Sequence, residues 1–247
     1  MKTVVTVVSM FFCCVSLNAQ ITSSLVHAPY GADEVRIRNA SQTALAAFAV
    51  AAKNDNGTAD SGGYIVIYSD TVIDVKAQAM SPGEERLVLS QGMVRPASAP
   101  VRPHSRSHGL AEPVVAAGIF ADGTTTGDAA LLTRLLLRRS NMLAAVENAI
   151  DTLTEAGNRN VPRAQLIDRF KKLSESLSRW YLSQDQQIGR GLYLSIVGKL
   201  VDLPEERLGL PFPPATFVRE ESATLIRQRA ALMASQPTLG ETILIEK

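Results

Sequence analysis

VVAAGIFADGTTTGDAALLTRLLLRR, residues 114–139, is the stretch in which the chain changes its repeat. Val114 to Phe120 reads as a closing strand, and Asp122-Gly123 turns the chain off it. Asp128 then stands where the first turn of a helix needs a side-chain acceptor. Beyond it the apolar residues Leu132, Leu135, Leu136, Leu143, Val146, Ile150 and Leu153 recur at helical spacing. The period therefore passes from two to about 3.6. This divides the protein into a β half before the stretch and a helical half after it.

Upstream, short apolar runs alternate with turn residues, the pattern of an antiparallel β-sandwich. Glu34 to Asn39 places Val35 and Ile37 on one face and Arg36 and Arg38 on the other. Leu45 to Ala52 is rich in alanine but holds Phe48 and Val50, and Asn54 to Gly63 supplies the reversal after it. Tyr64-Ile65-Val66-Ile67-Tyr68 is the strongest strand, because β-branched and aromatic residues suit a pleated surface. Val72 to Val75 is a candidate for another, and Ser81-Pro82-Gly83 turns the chain into Arg86 to Leu89. Asn39-Ala40-Ser41, Ser81-Pro82-Gly83-Glu84 and Val115 to Gly123 together resemble exported bacterial proteins with an N-terminal immunoglobulin-like domain. The resemblance covers the front half and implies an immunoglobulin-like fold. No activity is attached to those proteins, so it implies no function and no site.

Downstream, a helix is expected from Asp128 to about Ala156, stopped by Gly157. A second opens at Pro162 and runs to about Leu182, carrying Leu166, Phe170, Leu173, Leu177 and Trp180 on one stripe. The tight connection from Gly157 to Val161 makes these two a helical hairpin, with Trp180-Tyr181 read as core or seam ahead of a ligand platform. A third helix, about Asp185 to Val201, is weakened by Gly189, Gly191 and Gly198 unless they permit close packing. A last helix runs from Ala215 to about Ser235, and the apolar tail Ile243-Leu244-Ile245 has two possible docking places, the sheets or the helices. The class is α+β and multi-domain: 20–125 an immunoglobulin-like β-sandwich, 126–247 an α-helical hairpin or bundle region.

Residues 1–19 read as a cleavable signal peptide, with Lys2 at the start, an apolar run from Val4 to Leu17 and a small residue at Ala19. A run of that length spans ~21 Å as a helix, short of a ~30 Å hydrocarbon core. The expectation is an exported protein, periplasmic or extracellular, with no stable membrane anchor after cleavage. Cys13 and Cys14 would leave with the leader, so the mature chain has no disulfide, thiolate metal site or cysteine nucleophile. A net charge of +1 gives no electrostatic reason to expect a nucleic-acid or membrane-surface partner.

Each motif has a bland reading beside its chemical one. Asp122 and Asp128, with the threonines between them, offer oxygen ligands to a hard cation such as calcium, but also suit a turn and a helix cap. His104 and His108 sit in a long proline-rich basic loop, with no third ligand nearby. Gly189-Arg190-Gly191 lacks the third glycine and the preceding strand of a dinucleotide loop, and no Gly-x-Ser-x-Gly elbow is present. Glu205-Glu206 and Glu220-Glu221 suit acid–base work in a cleft, or a solvated helix face. The arginines at 134, 138 and 139 read as part of a mixed-sign surface, and Asn39 and Asn56 head glycosylation sequons. No catalytic residue and no cofactor is assigned. The expected role is a non-catalytic binding or structural module with an envelope or extracellular protein as partner. The alternatives are a hydrolase-type enzyme with carboxylates at the groove between the halves, and a scaffold self-associating through the leucine stripe at Leu136 and Leu143.

Overall fold

The computed structural model describes residues 20–26, 33–54, 64–74, 76–90, 110–203 and 215–235. The leader with its two cysteines, His27, Asn56, His104 and His108, Glu205-Glu206 and the tail at Ile243 to Ile245 lie outside the described residues. The described elements are β1 (Ile21–Val26), β2 (Glu34–Asn39), β3 (Leu45–Asn54), β4 (Tyr64–Asp70), β5 (Glu85–Ser90), β6 (Leu110–Phe120) and β7 (Thr125–Gly127). They are followed by α1 (Ala129–Arg159), α2 (Arg163–Ser176), α3 (Gly189–Asp202) and α4 (Ala215–Ala234). The strands form two antiparallel sheets, ordered β1-β2-β5 and β4-β3-β6-β7. The class is therefore α+β, strands first and helices after.

Alternation along the strands decides what meets what, because successive side chains point to opposite faces. Val35 and Ile37 are buried as their spacing requires, while Arg36 turns outward to Glu34 and Glu85. From β3, Leu45, Phe48, Val50 and Ala52 join Ile21, Val35, Ile37, Met80, Leu89 and Phe120 in a core between the two sheets. The intervening Ala47, Ala49 and Ala51 face the other way and meet Leu131, Leu132 and Leu135 of α1, with Ala117 and Ile119 of β6 beside them. Alanines there leave a shallow floor on which the helix can lie close.

The helix is launched from the sheet itself. The Asp128 N–H donates to the Ala116 carbonyl at 3.0 Å, and the Asp128 carboxylate accepts from the Leu131 N–H at 2.9 Å, capping α1. Gly127 has φ of 98°, and a Cβ there would run into the Ala116 backbone, so only glycine fits this junction.

Several boundaries differ from those the local pattern suggests. Val72 and Ile73 lie in a turn rather than a strand, because the Asp70 carboxylate captures the Val72 N–H at 3.0 Å. The helix α1 runs through Gly157 and is closed by Asn160, in the left-handed region at φ 49°, whose N–H reaches the Ala156 carbonyl. Beyond the sheets, α1 packs mainly on α4 and α3, and α2 mainly on α3, rather than α1 and α2 chiefly on each other. Their shared core holds Val146, Leu153, Leu166, Phe170, Tyr193, Ile196, Leu200, Leu225 and Leu232, with Val72 and Ile73 packed against it. Among the described residues no helix is long and apolar enough to cross a membrane.

Candidate interaction surface

The helical stripe through Leu173, Leu177 and Trp180 predicts an unbroken α2 to Leu182, yet the helix ends at Ser176. A local competitor stops it. The Gln186 side chain accepts from the Ser183 N–H at 2.9 Å, and the Ser183 hydroxyl accepts from the Gln186 N–H at 3.3 Å. These are the reciprocal bonds of a capping box, which starts a new turn at Ser183. Residues 178 to 182 are thereby left as a bridge between two helical segments.

Trp180 and Tyr181 sit on that bridge, not in a core or seam: Trp180 is 94% exposed and Tyr181 57%. Their rings meet edge to face with centroids 6.0 Å apart. The Arg179 guanidinium donates to the Tyr181 hydroxyl at 2.6 Å. Around them Ser178, Ser183, Gln184 and Gln186 are exposed and polar.

What holds the bridge lies beneath it. Asp185 is buried and its carboxylate accepts from Arg134 at 2.8 Å and from Arg138 at 3.1 Å, while its backbone carbonyl accepts from the Asn141 amide at 3.0 Å. The three donors recur on one face of α1. The Arg138 guanidinium in turn lies 4.1 Å from the ring centre of Tyr68 on β4. Burial, and then the charge of Asp185, pushes the Tyr68 phenol above its ordinary value. Two residues on, Asp70 grips Arg139 through bonds of 2.7 and 3.1 Å, and Arg139 also donates to the Ser235 carbonyl at 2.6 Å. Arg139 is 1% exposed and Asp70 4%, so this arginine is no part of a mixed-sign surface. At the start of α3, a Cβ on Gly189 would collide with Ala145 of α1, so the missing side chain is what lets the two helices touch. The segment carrying Trp180 is thus fixed to α1, and through α1 to the sheet.

The residues with chemical readings are occupied otherwise. Asp122 braces its own turn, accepting from the Thr124 N–H at 3.0 Å and its hydroxyl at 2.7 Å. Those bonds hold its carboxyl below the usual value. Asp128 caps α1. Among the described residues no group of three or more His, Cys, Asp or Glu side chains is placed to hold a metal ion. Asn39 is buried, its amide bonded to the Thr43 and Met80 carbonyls at 2.9 and 3.0 Å, which leaves no place for a glycan. Of the glutamate pair on α4, Glu220 is exposed, but Glu221 is buried and bonded by Lys199 at 2.7 and 2.8 Å. These residues line an open cleft of about 370 Å³ with Asp202, Leu203 and Phe217, placed between α3 and α4 rather than between sheets and helices. Leu136 and Leu143, the stripe considered for self-association, pack against the molecule's own cores.

No family model, no curated protein and no solved structure matches this chain.

Proposed function

We propose that this chain is an exported, non-catalytic binding module, in which an immunoglobulin-like sandwich and a helical bundle present the Arg179-Trp180-Tyr181 bridge to a partner. The observation that carries this reading is a nearly fully exposed tryptophan on a segment secured by a buried carboxylate. Exposed aromatic surface costs solvation free energy unless something covers it. Arginine, tryptophan and tyrosine are also the residue types most enriched at binding hot spots. The sandwich reading is supported by two antiparallel sheets sharing one apolar core, and export by the leader pattern at residues 1–19.

Of the carboxylates lining the α3–α4 cleft, the buried one, Glu221, supports this reading over catalysis, because it is already neutralised by Lys199. Acid–base work asks instead for a carboxylate free to exchange its proton. The test compares the wild-type protein with Trp180→Ala in affinity capture from an envelope fraction. Recovery of the same component by wild type and not by the variant supports the role. Identical recoveries sink it, as does a wild-type protein that retains neither a protein nor a lipid component. The two proteins should melt alike, since substitutions at exposed positions stay within about 0.5 kcal/mol.

A further inference from the structure

Charge is not spread evenly over this chain. Residues 163–190 hold six arginines and lysines against three acids, a local net of +3, whereas the whole chain is only +1. One of those three acids, Asp185, is buried between Arg134 and Arg138. The segment that carries Trp180 is therefore one of several cationic stretches in a nearly neutral molecule, beside 91–111 and 129–146, and the exposed charges flanking its bridge, at Arg179 and Arg190, are positive. Arg179 and Arg190, at either end of the bridge and the turn after it, are both exposed. On α3, Arg190, Leu194 and Val201 fall on one outward stripe, and both aliphatic residues are exposed.

From this arrangement we infer that the bridge docks on an anionic lipid bilayer, with Trp180 and Tyr181 seated among the headgroups and Arg179 and Arg190 facing lipid phosphates. The inference rests on the binding role proposed for the bridge and names its partner. A tryptophan and a tyrosine with adjoining cations suit the membrane–water interface, where one end of each ring is apolar and the other wet. Basic residues near an anionic leaflet add attraction that falls within a Debye length. A protein hot spot needs a ring of surrounding contacts that excludes water. Among the described residues, the exposed uncharged side chains flanking the two rings in sequence are Ser178, Ser183, Gln184 and Gln186, which provide no such apolar ring. A headgroup layer accepts an isolated protruding ring without one.

Trp180 is the only tryptophan in the chain, so its fluorescence reports on this site alone. The protein is titrated with vesicles of phosphatidylglycerol and phosphatidylcholine, and with vesicles of phosphatidylcholine alone. The expected result is a blue shift with the anionic vesicles, quenching by bromine-labelled acyl chains, and reversal by added salt. Arg179→Glu, which keeps the tryptophan, should weaken partitioning on the order of thirty-fold, since each cation near the surface contributes roughly fivefold. An unchanged spectrum with every vesicle overturns the lipid assignment. If capture by wild type but not Trp180→Ala then recovers a protein, the binding role stands with a protein partner. If that capture also fails, both readings fall. A shift that is equal for both vesicle types and indifferent to Arg179→Glu likewise removes the anionic surface as partner.

Discussion

The two faces of the sheet β4-β3-β6-β7 are built from opposite materials. The face turned to β1-β2-β5 meets an apolar core of Leu45, Phe48, Val50, Met80, Phe120 and their neighbours. The face turned to α1 is an alanine floor with leucines laid over it, and along the β4 edge it carries Tyr68 and Asp70 against Arg138 and Arg139. An apolar interface is satisfied by shape and volume, so it tolerates small sliding. Bidentate ion pairs are satisfied in one geometry only. The first face holds the sheets together, and the second places the helix, and with it the bridge that bears Trp180.

The heaviest blow to that contrast is Asp70→Ala. It leaves the Arg139 guanidinium buried without its carboxylate, and removing one partner of a buried pair costs about 3–5 kcal/mol. The double variant Asp70→Leu with Arg139→Met restores apolar character on both sides, and should recover most of the loss in a denaturant titration. Equal instability in the single and double variants would mean that the pair is not what the helix depends on.

Overfilling the alanine floor comes next. Ala49 is fully buried on the α1 side, one residue from Val50 on the other. Ala49→Leu pushes the helix off and should cost about 1–3 kcal/mol. Val50→Leu, adding one methylene on the opposite face, should cost less. If Ala49→Leu folds with undiminished stability, the floor is not close-packed and the two faces are less different than their composition implies.

The contrast was only half legible in the chain. Alternation in Glu34 to Asn39, β-branching in Tyr64 to Tyr68 and the acceptor at Asp128 are local signals, and the elements lie where they point. By contrast, β1 is Ile-Thr-Ser-Ser-Leu-Val, with little apolar repeat, and becomes a strand by pairing Ile21 with Asn39 through Val26 with Glu34. Arg139 and Asp70 stand 69 residues apart, so nothing local distinguishes Arg139 from its solvated neighbours. The end of α2 is a different case. Ser183 and Gln186 spell a capping box within four residues, but the leucine spacing up to Trp180 is the stronger pattern and masks it. Reading that box would have placed Trp180 and Tyr181 outside a helix, where the candidate surface is.

The smallest effect separates the faces by pH. The core between the sheets contains no titratable side chain among its described members, whereas the α1 side has Tyr68. Burial and the Asp185 charge raise the Tyr68 phenol above its ordinary 10.0, while Arg134 and Arg138 oppose them more weakly. A folded value above the unfolded one means that the folded state holds the proton more tightly. The associated stability is therefore fully present below the unfolded value and is lost as pH rises through the folded one. The Tyr68 hydroxyl is buried without a hydrogen bond of ordinary geometry, so Tyr68→Phe should change neutral-pH stability by no more than about 1 kcal/mol. What it should change is the alkaline limb, which becomes shallower above pH 10.0. Tyr193, raised by burial in the helical core, remains to titrate in the variant and keeps part of the slope. Parallel alkaline limbs for wild type and Tyr68→Phe would show that this titration does not reach the junction of β4 and α1.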